Sequence, residues 1–176
     1  EDLKFDIAND DWVISYWKYP VATLNNSLTS YNCFVIGHDT PDYTHGYILW
    51  GKITNENQFI LAVHLSDNTR SISYSSIFDS DWYFRHWHHE VLLKHGNELQ
   101  YWVDGTLQIQ VSLTTTLNSN FILGMAVGCD EINQPHNSYI ANLYYGLYTD
   151  QWTDEYIREV YEAKIPFSEQ NKLLIY

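Results

Sequence analysis

Residues 87–105, WHHEVLLKHGNELQYWVDG, alternate with a period of two along two successive runs, and each run ends on a turn. A strand places consecutive side chains on opposite faces, so strict alternation marks strands with distinct faces rather than a helix. Trp87, His89, Val91 and Leu93 share one face of the first run; Leu99, Tyr101 and Val103 share one face of the second. His95-Gly96-Asn97 and Asp104-Gly105 supply residue types that tolerate the positive φ of hairpin turns. The expectation is a hairpin with Trp87 in the core and His86, His88 and Glu90 on the opposite, exposed polar face.

The rest of the chain repeats this grammar. Strands are expected over 12–19, closed by Pro20, and over 33–37, 47–53, 59–65, 71–77, 109–113, 121–127 and 139–148. Two polar loops, at 38–46 and 129–137, interrupt them. One segment reads as a helix: Thr153 caps it, Asp154 and Glu155 suit its positive first turn, and Pro166 stops it. Ile157, Val160, Tyr161 and Lys164 form its stripe. The tail from Leu173 to Ile175 reads as an edge strand. Short strands with turn signals about every 8–12 residues predict an all-β, two-sheet antiparallel sandwich with one short C-terminal helix. No repeat or linker divides it, so residues 1–176 read as one domain.

Charge narrows the partners. Twenty-two acidic residues against nine basic ones give −13, with no basic cluster, which argues against nucleic acid and anionic membranes. No apolar run is long enough for membrane insertion. Cys33 and Cys129 form no CxxC motif, so a zinc knuckle is not expected, and one disulfide or two buried thiols stay equally open. The start at Glu1 without Met is consistent with a processed product or an excised domain. Fifteen Tyr and seven Trp exceed the needs of one core, so some are expected at a ligand-facing surface. That make-up, rich in Asn, Ser and Thr, fits an extracellular, cell-surface or virion protein.

Three pieces, in order, resemble the concanavalin A-like lectin/glucanase superfamily in its laminin-G-like branch. WVISYWKYP at 12–20 is similar to the opening strand, with Trp17 ahead of Pro20. The block with Trp87, His89, Trp102, Val103, Asp104 and Gly105 is similar to the Trp-x-His strand and the aromatic-Val-Asp-Gly ending. YIANLYYGLYTDQWTDEYIREVYEA at 139–163 resembles the closing strand and helix, although Tyr139 and Asn142 stand where the family pattern has Gly and Asp. The resemblance implies a jelly-roll sandwich with ligands on rim loops or the concave sheet. It also implies structural roles for His89 and the Asp-Gly turn. It does not fix function, since such folds host lectins, adhesion modules and glycanases.

A glycanase needs two carboxylates flanking the sugar bond. The alternating Glu-x-Asp-x-Glu run of family glucanases is missing, so a non-catalytic module is expected. Sugar recognition needs an aromatic platform with polar groups around it. Two groups offer this: His38, Asp39, Asp42, Tyr43 and His45 in the first loop, and Trp82, Tyr83 and His86 before the hairpin. Calcium takes hard oxygen ligands at short spacing, which Asp39 and Asp42 in one loop and Asp130 and Glu131 in the other would supply. The expected function is recognition of a glycan or a cell-surface or virion protein. The alternative is a structural or decoration domain that binds protein only.

Overall fold

Alternating runs become strands because each has one face to bury. The computed structural model describes residues 5–21, 34–37, 44–54, 56–120, 125–127 and 138–164. Among these the order is β1 (Trp12–Pro20), β2 (Phe34–Gly37), β3 (Tyr47–Ile53), β4 (Phe59–His64), β5 (Arg70–Tyr74), α1 (Ser80–Tyr83), β6 (His88–His95), β7 (Glu98–Val103), β8 (Thr106–Ser112), β9 (Met125–Val127), β10 (Ser138–Leu147) and α2 (Asp154–Ala163). Two five-stranded antiparallel sheets result, β10-β1-β6-β7-β8 and β5-β4-β3-β2-β9. The expected sandwich with a short C-terminal helix is what forms. Cys33, Cys129 and the tail at 173–175 lie outside the described residues.

The main core fills the space between the sheets. Trp12, Ile14 and Tyr16 of β1, Leu92 of β6 and Leu99, Tyr101 and Val103 of β7 face Ile48, Trp50, Phe59, Leu61 and Val63 of the second sheet. A second cluster lies on the outer face of the first sheet, where Val13, Val91, Leu93 and Trp102 meet Trp152 and Ile157. Helix α2 supplies that cover. The Thr153 side chain accepts from the Tyr156 N–H (3.2 Å), as its capping position predicts, and Lys164 ends the helix in a left-handed conformation (φ 46°) instead of extending its stripe.

The first strand of the hairpin is therefore turned around relative to expectation, while Leu99, Tyr101 and Val103 of the second lie on the buried face as expected. His88, Glu90, Leu92 and Lys94 are buried, and Trp87 is 47% exposed. Both faces of β6 are covered, one by the opposite sheet and one by α2, so alternation alone does not say which face is inner. The inner face of β6 tolerates its polar groups because His88, Glu90 and Lys94 each find partners. Glu90 and Lys18, both fully buried, form an ion pair at 2.8 Å. Tyr83 donates to Glu90 Oε1 (2.6 Å), Tyr16 donates to Glu90 Oε2, and Trp50 of the facing sheet donates to the Tyr16 hydroxyl (2.8 Å). Burial pushes the Glu90 carboxyl upward, but the Lys18 ammonium and these donors outweigh it and hold its pKa below the usual value. Burial first, and then the Glu90 charge, raises Tyr16, Tyr83 and Tyr101 well above the usual phenol range.

The second sheet makes room for this cluster with a bulge. The β3–β4 register shifts between Trp50 and Lys52, and Gly51 sits there at φ +73°. A Cβ at Gly51 would lie 3.0 Å from Lys18 Nζ, 3.2 Å from Glu90 Oε2 and 3.3 Å from the Tyr101 hydroxyl. Gly51→Ala is expected to cost about 2–4 kcal/mol through left-handed strain and overpacking, read as a lower urea midpoint with unchanged slope. Glu90→Gln, which strands the Lys18 charge, is expected to cost about 3–5 kcal/mol in the same measurement.

Candidate functional site

The outer face of the first sheet is only partly covered by α2, and a groove of 420 Å³ opens where the helix ends. Trp17, Trp87, Ala141, Asn142, Tyr161 and Lys164 line it. That volume lies within the range of about 300–1,000 Å³ typical of small-ligand sites.

Each lining residue has a local reason to be there. On β1, Trp12, Ile14, Tyr16 and Lys18 point inward, so Trp17 and Tyr19 point outward. Trp17 packs its ring against Tyr161 (6.2 Å, 28°) and against His89 (5.3 Å). Tyr19 bridges Trp87 (5.5 Å) and Tyr139 (6.0 Å), extending the aromatic surface beyond the groove. The floor is a bulge: Ser15 pairs with Tyr144 but Trp17 pairs with Ala141, leaving Asn142 and Leu143 opposite Tyr16. Asn142 takes φ +57°, a conformation that Asn accepts more readily than most side chains. Bulges of this kind bend a strand and re-aim its side chains.

The wall depends on how closely α2 approaches the sheet. Asp104 and Gly105 turn at φ 53° and 70°. A Cβ at Gly105 would lie 3.0 Å from the Arg158 backbone, so the missing side chain lets the helix seat against the turn. Asp104 also ties the turn to β6. Its Oδ1 accepts from the His89 N–H (2.9 Å) and its Oδ2 lies 2.7 Å from His88 Nδ1. His88 Nε2 lies 2.9 Å from the Tyr83 carbonyl, so both ring nitrogens face oxygen acceptors.

Chemically the groove stacks and hydrogen-bonds. Among the described residues its lining holds three aromatic rings, one amide and one ammonium, and no carboxylate. Partial burial, then Asp104 and Glu162, raises the Tyr161 pKa, which keeps its hydroxyl a neutral donor.

The residues singled out in the sequence fare differently. Trp82 is 38% exposed and His86 is exposed, but neither lines the groove; Trp82 packs on Phe78 (5.8 Å) and His88 (4.8 Å). Tyr83, expected at a ligand surface, is fully buried, because its hydroxyl serves Glu90. His88 and Glu90, expected on an exposed polar face, are interior. His45 is half-buried; its ring nitrogen lies 3.0 Å from Thr44 Oγ1, and its carbonyl lies 2.9 Å from His64 Nδ1. His38, Asp39, Asp42, Tyr43, Asp130 and Glu131 lie outside the described residues, and with them both calcium loops. Among the described residues, no three His, Cys, Asp or Glu side chains gather as a metal-holding group.

No protein-family model matches the chain, and no curated protein matches it. Solved structures do share its fold. The receptor binding domain of botulinum neurotoxin D is similar at TM-score 0.62 and 14% identity, over 93% of this chain and 40% of that one. The botulinum neurotoxin type G receptor binding domain gives TM-score 0.56 and 15% identity, over 88% and 38%. The binding domain of botulinum neurotoxin DC, solved in complex with rat synaptotagmin II, gives 0.58 and 13%, over 88% and 36%. The chain thus spans about two fifths of each of these structures, and the likeness is one of fold.

His89 beside the groove carries a pH signature. Burial lowers its pKa from 6.5 to about 4, partly opposed by the Glu90 charge. The unfolded chain takes up a proton on this imidazole near pH 6.5 while the folded chain refuses it until about pH 4. Stability therefore falls as pH drops through that window. The loss attributable to His89 is expected to reach roughly 3 kcal/mol at its lower end and to vanish in His89→Gln, measured by urea unfolding across pH.

Proposed function

We propose that the chain is a non-catalytic recognition module that binds carbohydrate in the groove between β1, β10 and the end of α2. The single observation that carries this reading is the groove lining. Trp17, Trp87 and Tyr161 offer ring faces to the C–H faces of a sugar, while Asn142, the Tyr161 hydroxyl and Lys164 offer donors to its oxygens. Among the described residues the lining has no carboxylate, whereas glycoside hydrolysis calls for a pair of them. The similar folds belong to receptor-binding domains, in keeping with recognition rather than chemistry.

In this reading the partner is a glycan or glycoprotein outside the cell. No helix among the described residues is long and apolar enough to cross a membrane. The loop residues His38, Asp39, Asp42, Tyr43 and His45, with calcium on Asp39 and Asp42 or on Asp130 and Glu131, form a second, rim-based candidate. The complex of one similar domain with synaptotagmin II favours a protein ligand as the competing reading.

A broad glycan array, run with calcium and with a chelator, tests the proposal. Binding that weakens about tenfold in Trp87→Ala, the loss of roughly 1.4 kcal/mol of stacking, supports the groove. Trp87 is exposed enough to be removed without collapse of the core. Silence across the array would sink the carbohydrate reading. Binding lost to the chelator and indifferent to Trp87 would move the site to the rim loops.

A further inference from the structure

Among the described residues, the second sheet ends in a strand that carries little of the usual protection of an edge. β5 lies at the end of the order β5-β4-β3-β2-β9. Its sequence, RSISY, has no Pro, no Lys and no acidic residue, and its pairing with β4 runs without a register shift. Natural edges are commonly blunted by such residues or by bulges.

Two hydrogen bonds fix which way the backbone points. Leu65 N donates to Thr69 O (2.9 Å), and Ser75 N donates to Phe59 O (3.0 Å). In an antiparallel ladder, alternate residues bond to one neighbour. Residues 69, 71, 73 and 75 therefore turn toward β4, while 70, 72 and 74 turn their N–H and C=O groups away from it. Ile72 and Tyr74 are 40% and 54% exposed, and Ile60 lies beside Tyr74 in register. Arg70, the one charge on the strand, reaches over the Tyr47 ring at 5.8 Å.

We propose that β5 is a homodimer interface, pairing antiparallel with β5 of a second copy about a two-fold axis at Ile72. The pattern of the strand is what selects a second copy. Large side chains at 70, 72 and 74 alternate with serines at 71 and 73, symmetrically about Ile72. In this register Ile72 meets its own counterpart and exchanges both backbone bonds with it. Tyr74 lies opposite the partner's Arg70, and Ser71 lies opposite the partner's Ser73. The two sheets become one continuous ten-stranded sheet. The charge of −13 on each chain opposes association at long range, but no acid stands on the edge itself, so added salt strengthens the dimer. A five-residue edge falls short of a standard interface of about 1,600 Å², so the dimer is weak and populated above about 0.1 mM. Two copies carry two grooves, which makes recognition bivalent.

Sedimentation equilibrium of the chain over about 0.01–1 mM, at low and high salt, tests this. The expected result is a reversible dimer, favoured by salt. Ile72→Lys and Ile72→Glu are each expected to weaken it about tenfold or more by setting like charges against each other. An equimolar mixture of the two variants is expected to restore association, because only a two-fold axis at residue 72 pairs the new Lys with the new Glu. A chain that stays monomeric throughout overturns the proposal, as does an Ile72→Lys variant that associates like the parent. A mixture no stronger than either variant alone overturns the register. Since Ile72 is exposed, circular dichroism is expected to show both variants folded.

Discussion

One carboxylate organises the interior of this sandwich. Glu90 sits without solvent contact between two sheets, and its charge is tolerated only because an ammonium and two phenols converge on it. These groups come from different parts of the fold: Lys18 and Tyr16 from β1, Tyr83 from α1. Trp50 extends the network to the facing sheet through the Tyr16 hydroxyl. Hydrophobic packing says that the sheets must meet but leaves their relative position loosely specified. A buried network with directional bonds has far fewer acceptable arrangements. The short helix α1 is held by the buried Tyr83 ring, which packs on Phe59, Phe78 and His88, and the Tyr83 hydroxyl adds a directional anchor.

Outside the first sheet a different chemistry operates on the same strands. Along β1, Lys18 enters the charged interior while its neighbours Trp17 and Tyr19 lie on the outer face. Along β6, Glu90 is inside while Val91 packs under α2. The strands are thus shared walls between a sealed polar centre and an aromatic surface. Where α2 lies, that surface is core; where α2 stops, it becomes a groove.

Much of the architecture was legible in the sequence, and the reasons are local. Alternation located the strands, Thr153 located the start of α2, and Asp104-Gly105 located a turn. What alternation does not encode is which face is inner when both are covered. Trp87 looked like core because large aromatics usually are, and Glu90 looked exposed because carboxylates usually are; the partners that reverse both assignments come from β1 and α1. The groove was legible only in part. Trp17 stood out as a motif and Tyr161 as a helix-stripe residue, but their meeting depends on the fold. One overlooked signal was present: apolar positions in 139–148 change parity, from Ile140 to Leu143 and Tyr145, and a parity change inside a strand marks a bulge.

That bulge separates two kinds of information in β10. Ile140 on one side of Asn142 and Tyr145 on the other both reach the main core, while Tyr144 faces out to Trp152, only because one additional residue resets the alternation. The chemistry of the groove is carried by interchangeable side chains, whereas its existence is carried by a count of residues. Evolution is free to rewrite Ala141 or Tyr161 and so change the surface of the groove within one scaffold. A single-codon deletion at 142 would keep Ile140, Leu143 and Tyr145 inside but erase the bulge under the groove, whereas a deletion or insertion elsewhere in the strand would exchange inside for outside along part of it. For this surface, length is more stringently constrained than identity.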